Sequence, residues 1–184
     1  MKNIYSKNVF TSIKMLILDV DGVLSDGKII VSNDGNEYKN FDVKDGLGLV
    51  LLQKAGIKVA VITGKESNIV RDRLTKLGLD ESDIFQGQKN KTKAYESIKS
   101  KYDLNDSQIA YMGDDLPDIV VMKNVFLPAA PANAVQAVKK YADYVCSSNG
   151  GNGAVRELCD FILKQEGLYD QVIKDFVNHG EFLA

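Results

Sequence analysis

Short apolar, β-branched runs alternate along this chain with stretches of helical periodicity, and that alternation restricts the fold more than any other feature. The runs are "MLILDV" (15–20), "KVAVIT" (58–63), "QIAYMG" (108–113), "VFLPA" (125–129) and "DYVCS" (143–147). Each is short, bounded by polar or turn residues, and reads as a strand buried on both faces. Between them "GLGLVLLQKAG", "SNIVRDRLTKLG", "KTKAYESIKSKY", "PDIVVMKN" and "NAVQAVKKY" carry helical spacing, and several end at Gly or Asn as a C-cap would. Strand and helix in turn imply a parallel sheet with right-handed crossovers and helices on both faces. The expectation is a doubly wound, Rossmann-like α/β fold in one domain spanning 1–184, since 184 residues suffice for one good core.

One segment breaks the alternation. "KIIVSNDGNEYKNF", within 28–42, alternates apolar and polar residues around an Asn-Asp-Gly turn and predicts a β-hairpin inserted after the first strand. No large cap domain is expected. The last stretch reads as one closing helix, "GAVRELCDFILKQEG", followed by a weaker helix or tail over 168–184 that holds the one histidine, His179, to which no role is assigned.

Charge is nearly balanced, with 23 Lys and Arg against 25 Asp and Glu. That excludes the basic excess of a nucleic-acid binder and a polybasic membrane-surface tract. The N-terminal stretch lacks the apolar core of a signal peptide, and no run approaches the roughly 20 apolar residues that cross a bilayer, so a cytoplasmic location is expected. Cys146 and Cys159 lack the spacing of a zinc site and read as reduced structural thiols.

In open α/β sheets the ligand crevice lies beyond the carboxyl ends of the strands, and polar residues gather there in this chain. Asp19 and Asp21 follow the first strand, Thr63 and Gly64 the second, and Asp114 and Asp115 the third, while "GQKNKTKAY" brings Lys91 to a helix start. Residues i and i+2 of an extended segment point the same way, so Asp19 and Asp21 can both face the crevice. Three or four converging carboxylates repel one another unless a cation neutralises them, and an all-oxygen set favours Mg²⁺ over zinc. An EF-hand is a poor alternative, since Val23 and Ile30 occupy ligand positions five and twelve of such a loop.

The set suits phosphoryl transfer. Asp19 can attack phosphorus to form an aspartyl-phosphate, and Asp21 can protonate the leaving alkoxide and then activate water. The cation, Thr63, Lys91 and backbone N–H groups would neutralise the phosphoryl oxygens. "GDDLPD" can also cap a helix, with Pro117 in its first turn, and "SNGGNGAVRE" reads as a tight turn into a helix at least as well as a phosphate loop.

"DVDGVLSDG", "VITGK", "GQKNK" and "GDDLPD", in that order, resemble the four motifs of the haloacid dehalogenase superfamily of phosphatases. "FDVKDGLG", "QGQKNK" and "GGNGAVRELCDFIL" are further similar to the 3-deoxy-D-manno-octulosonate 8-phosphate (KDO 8-phosphate) phosphatases, over roughly residues 13–167. The resemblance implies Asp19 as nucleophile and Asp21 as general acid/base. It also implies Mg²⁺ on the Asp19 side chain, the Asp21 carbonyl and Asp114, with Asp115 and Asp118 supporting that shell. Lipopolysaccharide biosynthesis and a homotetramer, in which the hairpin of one subunit closes a neighbour's site, are implied as well. Substrate contacts are expected from Gly64, Lys65, Arg73 and Lys76. Lys65 and Lys44 stand where relatives often have Arg, and Asn152 where they often have a cation. The related KDN 9-phosphate phosphatases share the core, but Lys65 fits the KDO enzymes better. A receiver domain would carry its acidic pair before the other motifs and lacks the second Asp, and a catalytically inactive binding protein would not need the full set.

Overall fold

The computed structural model describes residues 13–179; the leader expectation for the first residues and the last five residues of the expected tail lie outside it. The elements run β1 (Met15–Leu18), β2 (Ile30–Val31), β3 (Glu37–Tyr38), α1 (Val43–Lys54), β4 (Lys58–Ile62), α2 (Asn68–Lys76), β5 (Ile84–Phe85), α3 (Lys91–Tyr102), β6 (Ile109–Met112), α4 (Ile119–Met122), β7 (Leu127–Ala130), α5 (Gln136–Lys139), β8 (Tyr144–Val145), α6 (Ala154–Gln165) and α7 (Tyr169–His179). All five expected strands and the helices between them form. The reading missed β5, whose two residues leave no periodicity to detect, and placed the start of α1 three residues late, at Gly46 instead of Val43.

Six strands make one parallel sheet in the order β5-β4-β1-β6-β7-β8. The chain leaves β1 toward β4 and β5, then returns to lay β6 against the other side of β1, in register Leu18↔Met112. The strand order therefore reverses between β1 and β6, the place where such sheets open a crevice. β1 lies in the middle because all four of its residues are apolar and none is exposed. Alternate residues serve opposite faces: Leu16 and Leu18 join Leu49, Leu52, Leu158 and Ile162 under α1 and α6, while Met15 and Ile17 join Tyr95, Ile98 and Met122 under α3 and α4. Each such side chain contributes about 1.5–3 kcal/mol when fully buried.

Two short antiparallel strands, β2 and β3, form the expected hairpin, with Ile30 opposite Tyr38 and Gly35 at φ +83° in the turn. At its base Ser25 bridges to Phe41, so the return arm lies along the loop that follows β1. No described helix is long and apolar enough to cross a membrane.

Candidate active site

A cleft of about 500 Å³ opens at the carboxyl ends of β1, β4 and β6 and is lined by Asp19, Asp21, Thr63, Gly64, Lys65, Lys91, Asp114, Asp115 and Asp118, together with Gly27, Gln88, Lys89 and Pro117. Asp19 is the first residue past β1, and its N–H donates to the Met112 carbonyl at 3.0 Å, which ties it to the end of β6. The loop then turns back through Gly22 at φ +90°. A Cβ built there would lie 2.1 Å from Asp114 Oδ2, so only glycine lets the β1 loop approach the β6 loop this closely.

Asp118 organises the floor. Its Oδ1 accepts from the Lys91 ammonium at 2.7 Å and from the Tyr111 hydroxyl at 2.6 Å, and its Oδ2 accepts from the N–H groups of Asp114 and Asp115 at 3.0 and 3.1 Å. With both oxygens so engaged, Asp118 fixes its neighbours more than it could serve a ligand itself. Lys91, capped into α3 by Asn90, also reaches Asp19 Oδ1 at 2.8 Å. Its side chain is almost wholly buried, and the carboxylates of Asp19 and Asp118 outweigh the cost of burial, so its pKa is raised and it stays charged. Asp115 is exposed, and its own carboxylate caps the turn at Leu116–Asp118, the capping role expected for this motif.

Carboxylate oxygens of Asp19, Asp114 and Asp118 lie within 4.8 Å of one another. Burial, opposed in part by Lys91, pushes the Asp19 carboxyl up to about 6. Burial and then the charges of Asp19, Asp118 and Asp115 push Asp114 up to about 7. Such crowding is the electrostatic signature of a place made for positive charge. An oxygen-only donor set suits a hard divalent ion such as Mg²⁺, so the residues present fit that cofactor.

Thr63 is buried at the end of β4, where its N–H donates to Phe85 O and its carbonyl accepts from Gln88 N–H. The short strand β5 thus carries the segment 86–91 to the cleft, which brings in Gln88 and Lys89, two lining residues that the sequence reading did not single out although they lie inside "GQKNK". Tyr111 was also missed; the one polar side chain of β6, it could have been found as the residue that must find a partner when buried.

Arg73 and Lys76 are not among the residues that line this cleft. Both residues fall in the last turn of α2, which packs against the first turn of α1. Lys76 is exposed there, and Arg73 packs over Gly46, lining a small crevice with Leu24, Phe41, Asp42 and Asp45. Asn152 and its Gly-rich turn also stay out of the cleft lining. Gly151 N–H donates to Val23 O at 2.9 Å, and the turn supports the acidic loop from behind.

The haloacid dehalogenase-like hydrolase family model matches residues 80–158. The 3-deoxy-D-manno-octulosonate 8-phosphate phosphatase of Escherichia coli K12 is 44% identical over 160 residues, which are 87% of this chain and 84% of that one. The crystal structure of the corresponding enzyme from Moraxella catarrhalis, in complex with a magnesium ion, a phosphate ion and a KDO molecule, superposes with a TM-score of 0.88 at 41% identity, covering 96% of this chain and 99% of that one. The cobalt-bound form from Haemophilus influenzae gives a TM-score of 0.83 at 36% identity, covering 90% and 98%. With the fold, the acidic crevice and this likeness over nearly the whole length in agreement, the chain belongs to the 3-deoxy-D-manno-octulosonate 8-phosphate phosphatase family of haloacid dehalogenase-like hydrolases.

Proposed function

We propose that this chain is a Mg²⁺-dependent phosphomonoesterase that releases inorganic phosphate from KDO 8-phosphate, on the route to lipopolysaccharide. The observation that carries the reading is the placement of Asp19 at the end of β1, bonded to a buried Lys91 and facing the Asp114 carboxylate across the crevice. In the first step an Asp19 oxygen forms a bond to phosphorus as the ester P–O bond breaks. The bonding electrons go to the sugar oxygen, which takes a proton from Asp21. In the second step water attacks the aspartyl-phosphate, its proton goes to Asp21, and the P–O bond to Asp19 breaks to restore the carboxylate. Lys91, the Thr63 hydroxyl and the backbone N–H groups after Asp19 hold the phosphoryl oxygens.

Asp19, the Asp21 carbonyl and Asp114 would hold Mg²⁺, with Asp115 and Asp118 in support. When bound, the ion supplies positive charge that offsets both the carboxylates and the phosphoryl group. Lys65, Gln88 and Lys89 line the mouth and suit an anionic sugar acid.

A homotetramer and a cytoplasmic location belong to the same reading. Ile29 and Val31 on the hairpin and Val43 just beyond it are exposed by 67%, 62% and 75%, an apolar surface that a second copy would cover. The test is phosphate release from KDO 8-phosphate, KDN 9-phosphate and common sugar phosphates, with Mg²⁺ and with EDTA, on wild type and Asp19→Asn. The reading expects Mg²⁺-dependent preference for the first substrate and its loss in the variant. Equal rates on all substrates, or an active Asp19→Asn, would overturn it.

A further inference from the structure

The hairpin does more than protrude from the domain: its return arm is stitched to the acidic loop at three successive residues. Phe41 bridges to Ser25, Asn40 Nδ2 donates to Asp26 Oδ2 at 3.0 Å, and Lys39 Nζ donates to Asp21 Oδ1 at 2.6 Å. The Lys39 side chain is only 2% exposed, and its other carboxylate partner is Glu37 on the same arm, at 3.3 Å. Burying an ammonium is costly unless it is paired. A lysine that only held the hairpin together could be served by Glu37 and solvent. Here the buried charge is spent on the one acidic-loop carboxylate that lies two residues after Asp19.

The contact is one-sided. Asp21 Oδ1 takes both the Lys39 ammonium and a long 3.4 Å bond from the Ser25 hydroxyl, while among the described residues no donor reaches Oδ2. Asp21 lines the cleft. We propose that Lys39 is a positioning residue for the reaction: by anchoring Oδ1 it fixes the rotation of the Asp21 carboxyl and leaves Oδ2 as the oxygen that exchanges a proton with the leaving group and with water. The hairpin thereby contributes to chemistry within its own subunit, through a residue that touches neither phosphate nor sugar. The inference rests on the reading of Asp21 as general acid/base.

Leaving-group dependence tests it, because kcat/KM covers only steps up to transfer of the phosphoryl group. KDO 8-phosphate expels an alkoxide that needs the proton, whereas p-nitrophenyl phosphate expels a phenolate that does not. Lys39→Met should lower kcat/KM for KDO 8-phosphate about 10–100-fold, a large part of what a general acid contributes, and change that for p-nitrophenyl phosphate less than about threefold. Lys39→Arg should recover most of the loss, and Lys39→Gln, which keeps length and loses charge, should reproduce it if the Met variant does not fold. Asn40→Ala, which loosens the hairpin without touching Asp21, should leave the ratio of the two substrates at its wild-type value. Equal losses on both substrates in Lys39→Met, or a selective loss in Asn40→Ala, would overturn the proposal. A full rate on KDO 8-phosphate in Asp21→Asn would instead remove the acid/base reading beneath it.

Discussion

Lys91 ties the nucleophile candidate to the floor of the site: its ammonium lies 2.8 Å from Asp19 Oδ1 and 2.7 Å from Asp118 Oδ1. Removing it should affect rate and stability separately. Lys91→Met takes away one buried charged donor facing the nucleophile candidate, and losses of such donors lower kcat by about 10²–10³-fold. It also leaves two buried carboxylates without their cation, a change that costs about 3–5 kcal/mol in a buried ion pair. Urea denaturation should show the destabilisation in EDTA and a smaller one with Mg²⁺. Lys91→Arg should rescue little, because a planar fork does not fit where a compact ammonium meets Asp19, Asp118 and the Tyr111 hydroxyl. A Met variant with wild-type turnover would dismiss the role given to Lys91.

Gly22→Ala should disable the site while the sheet still forms. The left-handed φ of +90° alone costs about 1–2 kcal/mol for a residue with a Cβ. The larger effect is local, since the new methyl group would fall 2.1 Å from Asp114 Oδ2 and force that carboxylate away. The expected result is near-native far-UV circular dichroism with a weakened response to Mg²⁺. An unchanged Mg²⁺ titration would show that Asp114 is free to move without loss.

Metal dependence should itself depend on pH. Asp19 and Asp114 titrate near 6 and 7 in the folded protein without metal, above the ordinary carboxylate value of 3.8. Because the folded pKa values are raised, the native state binds more protons than the unfolded chain between about pH 4 and 7, and stability from these two groups is lost as pH rises through that window. Mg²⁺ competes with the same protons, so its apparent affinity should rise up to about tenfold per pH unit for each proton displaced, levelling off above pH 7. Thermal melts from pH 5 to 8, each with Mg²⁺ and with EDTA, measure both slopes. The stabilisation by Mg²⁺ should be small at pH 5 and large at pH 8; a constant increment would show that these carboxylates are not its ligands.

The sequence disclosed the parts of the molecule that obey strong local rules and concealed those set by partners distant in the chain. Five β-branched runs could be read because burial on both faces leaves continuous apolar stretches, and the hairpin because Asn-Asp-Gly has few uses besides a turn. β5 could not be read, since Ile84 and Phe85 are strand only through their pairing with Val61 and Ile62. In the site, Asp19, Asp21, Thr63, Lys91 and Asp114 were legible because each follows a strand or opens a helix at the crevice. Lys39 was not, because it lies 18 residues from the carboxylate it meets. Arg73 and Lys76 were expected near the ligand from the family resemblance alone; neither lines the cleft, Arg73 lying in the small crevice with Leu24, Phe41 and Asp45 and Lys76 being exposed.

Asp45 shows the same long-range effect in the scaffold and gives a prediction about stability. It lies on α1 within "FDVKDGLG", one of the stretches similar to the KDO 8-phosphate phosphatases, yet its buried carboxylate accepts from the N–H of Gly153 at 3.2 Å and of Arg156 at 2.8 Å. α6 begins at a glycine without a side chain to cap it, so a carboxylate from another helix satisfies its first N–H groups. The negative charge also suits the positive end of the helix, although burial dominates and raises the Asp45 pKa. Asp45→Ala should therefore cost about 2–3 kcal/mol, combining the loss of a cap with buried donors left unmade, and Asp45→Asn roughly half of that. Because the turn before α6 supports the acidic loop through Gly151 and Val23, activity should fall at temperatures where the variant begins to melt and stay near wild type below them. Urea midpoints and rates measured across that range check the argument, and a midpoint equal to wild type in Asp45→Ala would mean that water caps α6 equally well.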